Sequence, residues 1–214
     1  MTEIRARVQH HPGRAHLLPR LLHHLRLLSP EVVAHSSEPP DPWAGYRLCL
    51  TDLPDCTHVL VIQDDAIPVP GFADALPLVA QANPNTPVCL WMSAVPASCA
   101  GRVRRALMRK NPPRYMPLGP SNILPLVAVL WPRALAQAFL EWSETSTRIT
   151  RADDGNAARW AKQTRQEVMV AVPSICEHDD FTPSVKGGDR KESQGKASDR
   201  VALFLADDAR VYEW

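Results

Sequence analysis

Glycine is scarce in this chain of 214 residues, with nine glycines against 21 prolines. That ratio argues against glycine-rich phosphate loops and for many rigid, extended connections, because proline fixes φ where glycine frees it. Long apolar runs are missing as well. Nothing approaches the roughly 18 uninterrupted apolar residues of a membrane-crossing helix, and the opening "MTEIRARVQHHPGR" has no apolar core of a secretory signal. Charge of one sign is not in excess: 24 Lys and Arg meet 23 Asp and Glu, a net charge of +1. No global field steers such a molecule to nucleic acid or membrane. The five cysteines (Cys49, Cys56, Cys89, Cys99 and Cys176) are odd in number, and no two are spaced C-x-x-C. A zinc cluster or disulfide framework is not expected, and a reducing compartment is. These absences predict a soluble, cytoplasmic protein with no membrane partner.

The chain is long enough for one sizeable domain, and short for two. Its pattern alternates. Ile4 to Val8 reads as a short strand ended by "HHPGR", and Leu17, Leu18, Leu21, Leu22, Leu25 and Leu28 follow at helical spacing, with Pro19 in the first turn. "EVVAHSS" reads as a strand, Trp43 to Leu53 as a helix, and "THVLVIQ" as the strongest strand. Ala73 to Gln81 predicts a helix, "PVCLWMS" and "ILPLVAVLW" predict strands, and Pro132 opens a helix to about Trp142. "GNAARWAKQTRQ" predicts a helix behind Asp153 and Asp154, and "EVMVAVPS" the last strand. Residues 182–199 are polar and read as a mobile loop. Strands alternating with helices predict an α/β three-layer sandwich, a single domain whose mostly parallel sheet carries helices on both faces.

In such sheets, ligands bind at the carboxyl ends of the strands. There the chain carries "HVLVIQDDAIPVPGF", in which a buried run ends in Gln63 and two adjacent carboxylates, Asp64 and Asp65. Alternation along a strand sends neighbouring side chains to opposite sides, so one acid is expected to face a ligand while the other fixes the loop. Two like charges together are costly unless a cation or hydrogen bonds offset them. Hard oxygen ligands suit Mg²⁺ or Mn²⁺. A solvated turn in which aspartate bonds the local backbone is the plainer alternative.

The order of these signals resembles that of the GT-A glycosyltransferases. In that family a buried strand ends in an acidic motif that holds a metal on a nucleotide-sugar diphosphate, and "VIQDDAIPVPGF" looks like that motif and its continuation. "ILPLVAVLWPRALAQAFLEW" looks like the acceptor-side strand and helix, and "TRADDGNAARWAKQTRQEVMVAVPSICEHDD" resembles the later segment, so the likeness spans most of residues 3–186. It implies a GT-A-like sandwich acting on a nucleotide-sugar, a UDP-sugar by first choice, with Mn²⁺ or Mg²⁺. Asp65 is then the metal ligand, and Asp64 lies nearer the ribose or just behind the ligands of the metal. His178, after the last strand, completes the metal shell. One of Asp153 and Asp154 is the base of an inverting enzyme; Asp154 is the choice, with Asp153 capping the helix. His10, His11, Arg14 and Ser36 lie where the family grips the nucleotide, and Lys186 and Arg190 could meet its phosphates as the loop closes. Gln63 departs from the pattern, for it stands where the motif's first acid is expected.

"GRVRRALMRKNPPRY" adds Arg102, Arg104, Arg105, Arg109, Lys110 and Arg114 with no acid. Taking these six from the 24 basic residues leaves 18 against 23 acidic ones, so the positive charge is segregated. A solvated helix face, a diphosphate clamp, and a site for a polyanion such as DNA all fit that run. Two other function classes stay open: a nucleotidyltransferase on a similar sheet, and a non-enzymatic module that binds polyanions through residues 102–114.

Overall fold

The computed structural model of the chain describes residues 2–93, 97–119, 124–179, 202–212 and 214, with the backbone alone at 97–99. Strand β1 (Ile4–His10) leads to helix α1 (Leu18–Leu25), β2 (Glu31–Ala34), α2 (Pro42–Leu50) and β3 (His58–Gln63). A short β4 (Ala66–Pro68) precedes α3 (Phe72–Ala82), β5 (Val88–Cys89) and α4 (Ala97–Leu107). Then come β6 (Tyr115–Leu118), β7 (Ala128–Pro132), α5 (Arg133–Thr145), α6 (Asp153–Thr164), β8 (Val168–Ala171) and β9 (Cys176–His178).

Seven strands form one sheet in the order β2-β1-β3-β7-β5-β8-β6. β1 pairs in parallel with β2 and β3, and β5 with β8, whereas β7 runs against both β3 and β5 and β6 runs against β8. Five strands thus share one direction, and the sheet is mostly parallel, as the alternation predicts.

β3 explains the layering. Val59 to Ile62 are fully buried, the continuous apolar run expected of a strand covered on both faces. Alternation sends Leu60 and Ile62 into a core with Leu21 and Leu25 of α1 and Phe72 of α3. Val59 and Val61 face the opposite core, with Tyr46 of α2, Phe139 of α5 and Trp160 of α6. There the Trp131 ring of β7 lies 5.6 Å from both Phe139 and Trp160. Such ring pairs add about 0.5–1.5 kcal/mol each beyond the area they bury.

The leucine-spaced segment is helical but broken. Tight 3-10 turns at Pro12–Leu17 and Arg26–Leu28 flank α1, and Arg14 has non-helical dihedrals within the first of them. Pro19 is the second residue of α1, where its missing N–H costs little. Two strands are shorter than their apolar runs. β7 begins only at Ala128, for Pro125 has no N–H to give a ladder. "PVCLWMS" pairs regularly only at Val88–Cys89, although Leu90 N–H still bonds Ala128 O at 2.9 Å. Pro132 ends β7 and caps α5 instead of opening it.

A second, two-stranded sheet pairs β4 with β9 antiparallel, with Ala66 opposite His178. Residues 202–212 return to the same region: Leu203 N–H bonds Met92 O at 2.7 Å, and Ala206 N–H bonds Ser174 O at 2.8 Å. Residues 182–199, with Lys186 and Arg190, lie outside the described residues. No helix among the described residues is long and apolar enough to cross a membrane.

Candidate active site

β1 and β3 pair in register, Gln9 opposite Gln63, so both strands release their chains at one level of the sheet. Asp64 and Asp65 form the turn between β3 and β4, and each is only 2% exposed. Asp64 Oδ2 accepts from the His11 backbone N–H at 2.8 Å and lies 2.9 Å from His10 Nδ1. Asp64 Oδ1 accepts from Arg14 Nη1 at 3.0 Å, and the same nitrogen donates to Asp65 Oδ2 at 2.5 Å. Asp65 Oδ2 also lies 3.1 Å from His178 Nε2.

The two carboxylates therefore converge, contrary to the expectation that they point apart. The reason is local: β3 ends at Gln63, so strand alternation no longer governs the turn. One buried guanidinium nitrogen then bridges both acids. Ionised hydrogen bonds of this kind are short and strong, and they offset the burial of like charges.

His178 reaches the pair because β9 pairs with β4. Its register sets His178 beside Ala66, next to Asp65, and Asp179 N–H bonds Asp65 O at 2.8 Å. The ring packs against Trp91, centroids 5.4 Å apart. Glu177, a residue the sequence reading passed over, organises this wall: its Oε1 accepts from Trp91 Nε1 at 3.2 Å, His178 N–H at 2.8 Å and Ala202 N–H at 2.7 Å. The neighbouring Cys176 thiol is pushed up by complete burial, so it sits there as a neutral, apolar group.

Gln63 has a task of its own. Its Nε2 donates to Asp153 Oδ2 and to Gln9 Oε1, each at 3.3 Å, and Gln9 Nε2 donates onward to Pro42 O at 2.9 Å. An acid at position 63 would face the Asp153 carboxylate; the amide bonds it instead. This brings Asp153, 6% exposed, to the strand exits.

The second acidic pair needs one correction. The cap of α6 is Ala152, and Asp153 and Asp154 are the helix's first two residues. Asp153 is therefore not the cap; it turns one oxygen to Gln63 while the other accepts the Asp154 N–H at 2.9 Å. Asp154 Oδ1 accepts from Gly155 N–H at 2.6 Å. Their placement at the positive end of the helix suits both charges.

The other expected residues divide. His10 and Arg14 join the acidic pair through their side chains, and His11 through its backbone, since its ring caps the following turn by accepting from Gly13 N–H. Ser36 is exposed in the loop after β2. Arg104, Arg105, Arg109 and Lys110 are exposed on α4 and just beyond it. Arg114 leaves that strip, its guanidinium lying 5.1 Å over the Tyr212 ring. Arg102 lines a cavity of 390 Å³ together with Lys162 of α6, Arg165 just after that helix, Leu118 and Val168. Val168 begins β8, so this cavity lies at the opposite end of the sheet from the exit of β3.

No group of three or more His, Cys, Asp or Glu among the described residues is arranged to hold a metal. Asp65 Oδ2 and His178 Nε2 are nevertheless spaced as two adjacent ligands would be, since bonds of about 2.1 Å at a right angle set ligands about 3.0 Å apart. Two protein ligands suit Mg²⁺ or Mn²⁺ that takes its remaining oxygens from water and a substrate phosphate. The donor set fits an ion of that kind, and Arg14 stands on one of its oxygens. No protein-family model matches the chain, and no curated protein matches it.

Proposed function

We infer that this protein is a glycosyltransferase that moves a sugar from a nucleotide-sugar to an acceptor hydroxyl with inversion. One observation carries the reading: the turn after the central strand buries two carboxylates beside a histidine, and a third carboxylate, Asp153, stands at the same strand exits. The ordered GT-A likeness of residues 3–186 supports it from the sequence side. Open α/β sheets take their ligands at these exits.

Asp65 and His178 would hold a divalent ion, which when bound supplies Lewis-acid neutralisation of the leaving diphosphate. Arg14 adds a fixed positive charge at the same place. His10 orients Asp64 by donating from Nδ1, and Asp64 and Gln9 line the first strand exit, where the nucleoside binds. An inverting transfer needs a carboxylate to take the acceptor's proton as its oxygen attacks the anomeric carbon. Asp153 is the better placed of the second pair, because Gln63 holds it at the exits; Asp154 remains the choice the sequence likeness implies. The direct test is a thermal-shift screen of UDP-, GDP-, CMP- and TDP-sugars with and without Mn²⁺, on wild type and Asp65→Asn. A bound donor raises apparent stability by mass action. A metal-dependent shift for one nucleotide family, lost in Asp65→Asn, is expected; no shift with any donor would end the reading.

The acceptor reading that the charge pattern favours is a polyanion, with DNA the first candidate. Its support is the exposed run Arg104, Arg105, Arg109 and Lys110, together with the position of Arg102 beside Lys162 and Arg165, away from the acidic pair. A clamp on the donor diphosphate would need Arg102 at the other end of the sheet.

A further inference from the structure

We propose that α6 is the docking track of the polyanion acceptor: duplex DNA lies along the outer side of this helix, its phosphates running from the cationic cavity to Asp153. The proposal rests on the polyanion reading of the acceptor and gives it a path.

The need for a path follows from the topology. Gln63 bonds Asp153 at the strand exits. The cavity lined by Arg102, Lys162 and Arg165 lies where β8 begins, at the opposite end of the sheet. An acceptor held at the cavity alone could not present a hydroxyl to Asp153. α6 joins the two places, since it begins with Asp153 and ends beside the cavity at Thr164. Its 12 residues span about 18 Å, the axial length of about five base pairs of duplex at 3.4 Å each.

Both ends of the track are cationic. Lys162 and Arg165 are exposed at the far end, and Arg148 and Arg151 are exposed in the loop that leads into Asp153. Ala158 and Lys162, four residues apart on one face, both line the cavity, so this face borders α4, whose Arg102 shares that cavity. Gln163 belongs to the other flank, where its Oε1 accepts from Trp142 Nε1 of α5, a helix that carries the exposed acids Glu141 and Glu144. The acids of the track itself are Asp154 at its start and Glu167 at its end, so the four exposed cations outnumber them. A polyanion is the partner that such a surface fits.

The leading loop holds its cations in place. Asn156 is fully buried; its Oδ1 accepts from Thr150 N–H at 3.0 Å, and its Nδ2 donates to Thr150 O at 2.7 Å. Arg159 Nη2 donates to Thr150 Oγ1 at 2.8 Å and to Asn156 Oδ1 at 2.6 Å, and Trp43 N–H bonds Arg151 O at 3.2 Å. A loop ordered on folding loses less entropy when a phosphate arrives. At the far end Arg165 caps α6 with φ at +57°, where glycine is the usual residue. Stability alone would favour glycine there, so this cation stands at a backbone cost.

The test is fluorescence anisotropy of a labelled DNA duplex over a range of salt. It compares wild type with two neutralised pairs, Arg148→Gln/Arg151→Gln and Lys162→Gln/Arg165→Gly. Each pair is expected to bind about tenfold more weakly and to lower the salt slope by about 2, one for each phosphate contact removed. Circular dichroism melts check the fold, and the second pair is expected to melt no lower than wild type, because glycine relaxes the left-handed cap. If either pair fails to fold, the single variants Arg148→Gln and Lys162→Gln replace it, each expected to lower the slope by about 1. Unchanged affinity and slope in the variants of Arg148 and Arg151 would overturn the path along α6 and leave a polyanion bound at the far end alone. No duplex binding by wild type at about 50 mM salt would overturn the proposal together with the polyanion reading. Should no nucleotide-sugar stabilise wild type while both pairs weaken DNA binding as expected, the glycosyltransferase reading falls and the docking track stands.

Discussion

Gln63 Nε2 reaches from the end of β3 to Asp153 Oδ2 at the start of α6, 3.3 Å away and 90 residues further along the chain, and so brings the second acidic pair to the exit that carries the first. Replacing this amide by Glu would set two carboxylates against one another in a half-buried place. Gln63→Glu is expected to lower stability by about 1–3 kcal/mol, the cost of an unsatisfied buried polar group. The sign of its pH dependence follows from like-charge repulsion, which raises the carboxyl pKa values in the folded state. The loss should be full near neutral pH and should shrink as the pH falls through that raised value. Thermal melts at pH 7.5 and pH 5 read it; an equal loss at both would show that charge is not the cause.

The two acids at the head of α6 make different contacts and should give different variants. Asp153→Asn is expected to bind donor normally and to lose turnover by about 10²–10⁴-fold, the usual worth of a positioned base. Asp154→Asn is expected to lose little, since its carboxylate bonds the next residue's N–H. Single-turnover rates with saturating donor separate the two. The reverse result would restore the assignment that the sequence likeness implies.

The exposed cations of α4 should act on a polyanion and not on the donor. Reversing Arg104, Arg105 and Arg109 to Glu is expected to weaken duplex DNA binding and leave donor-induced stabilisation unchanged. Binding by the wild type should fall with salt, with a slope of about −0.9 in log affinity for each phosphate neutralised. No duplex binding at about 50 mM salt would remove DNA as the acceptor.

Gly71 opens α3 with φ at +73°, and an added Cβ would come within 2.7 Å of Asp208 Oδ1 and closer still to Arg210. Gly71→Ala is expected to cost at least about 1–2 kcal/mol, the left-handed backbone alone accounting for that much. Pairing it with Arg210→Ala should recover part of the loss in chemical denaturation, as the steric share disappears.

Much of this architecture is legible because its causes are local. The run Val59 to Ile62 and the leucine spacing of residues 17–28 announce a strand and a helix face without knowledge of any partner. Partner choice is another matter. Nothing in "ILPLVAVLW" says that β7 will run against β3 and β5, and nothing in "AIP" or "CEH" says that those segments will pair and carry His178 to Asp65. In the sequence Arg14 is only a polar residue near a strand exit, and its contacts are with acids 50 and 51 residues away. That Ala152 and not Asp153 caps α6 is a difference of a single position at the helix start, the scale at which a pattern of periodic residues is least sharp.

The reversed direction of β7 has a mechanical consequence. It stands between β3 and β5, so these two strands exit about 9–10 Å apart, twice the usual strand spacing. The chain that leads into β7 fills the interval and is fastened on both sides, by Gln63 N–H to Val127 O at 2.8 Å and by Leu90 N–H to Ala128 O at 2.9 Å. The floor beneath the acidic pair is thereby stiff, and the amides of Gln63 and Leu90 should be among the slowest in the protein to exchange with deuterium. Adaptation to a bound molecule then falls to the walls: the kinked turn that carries Arg14 on one side, and the small β4–β9 ribbon that carries His178 on the other.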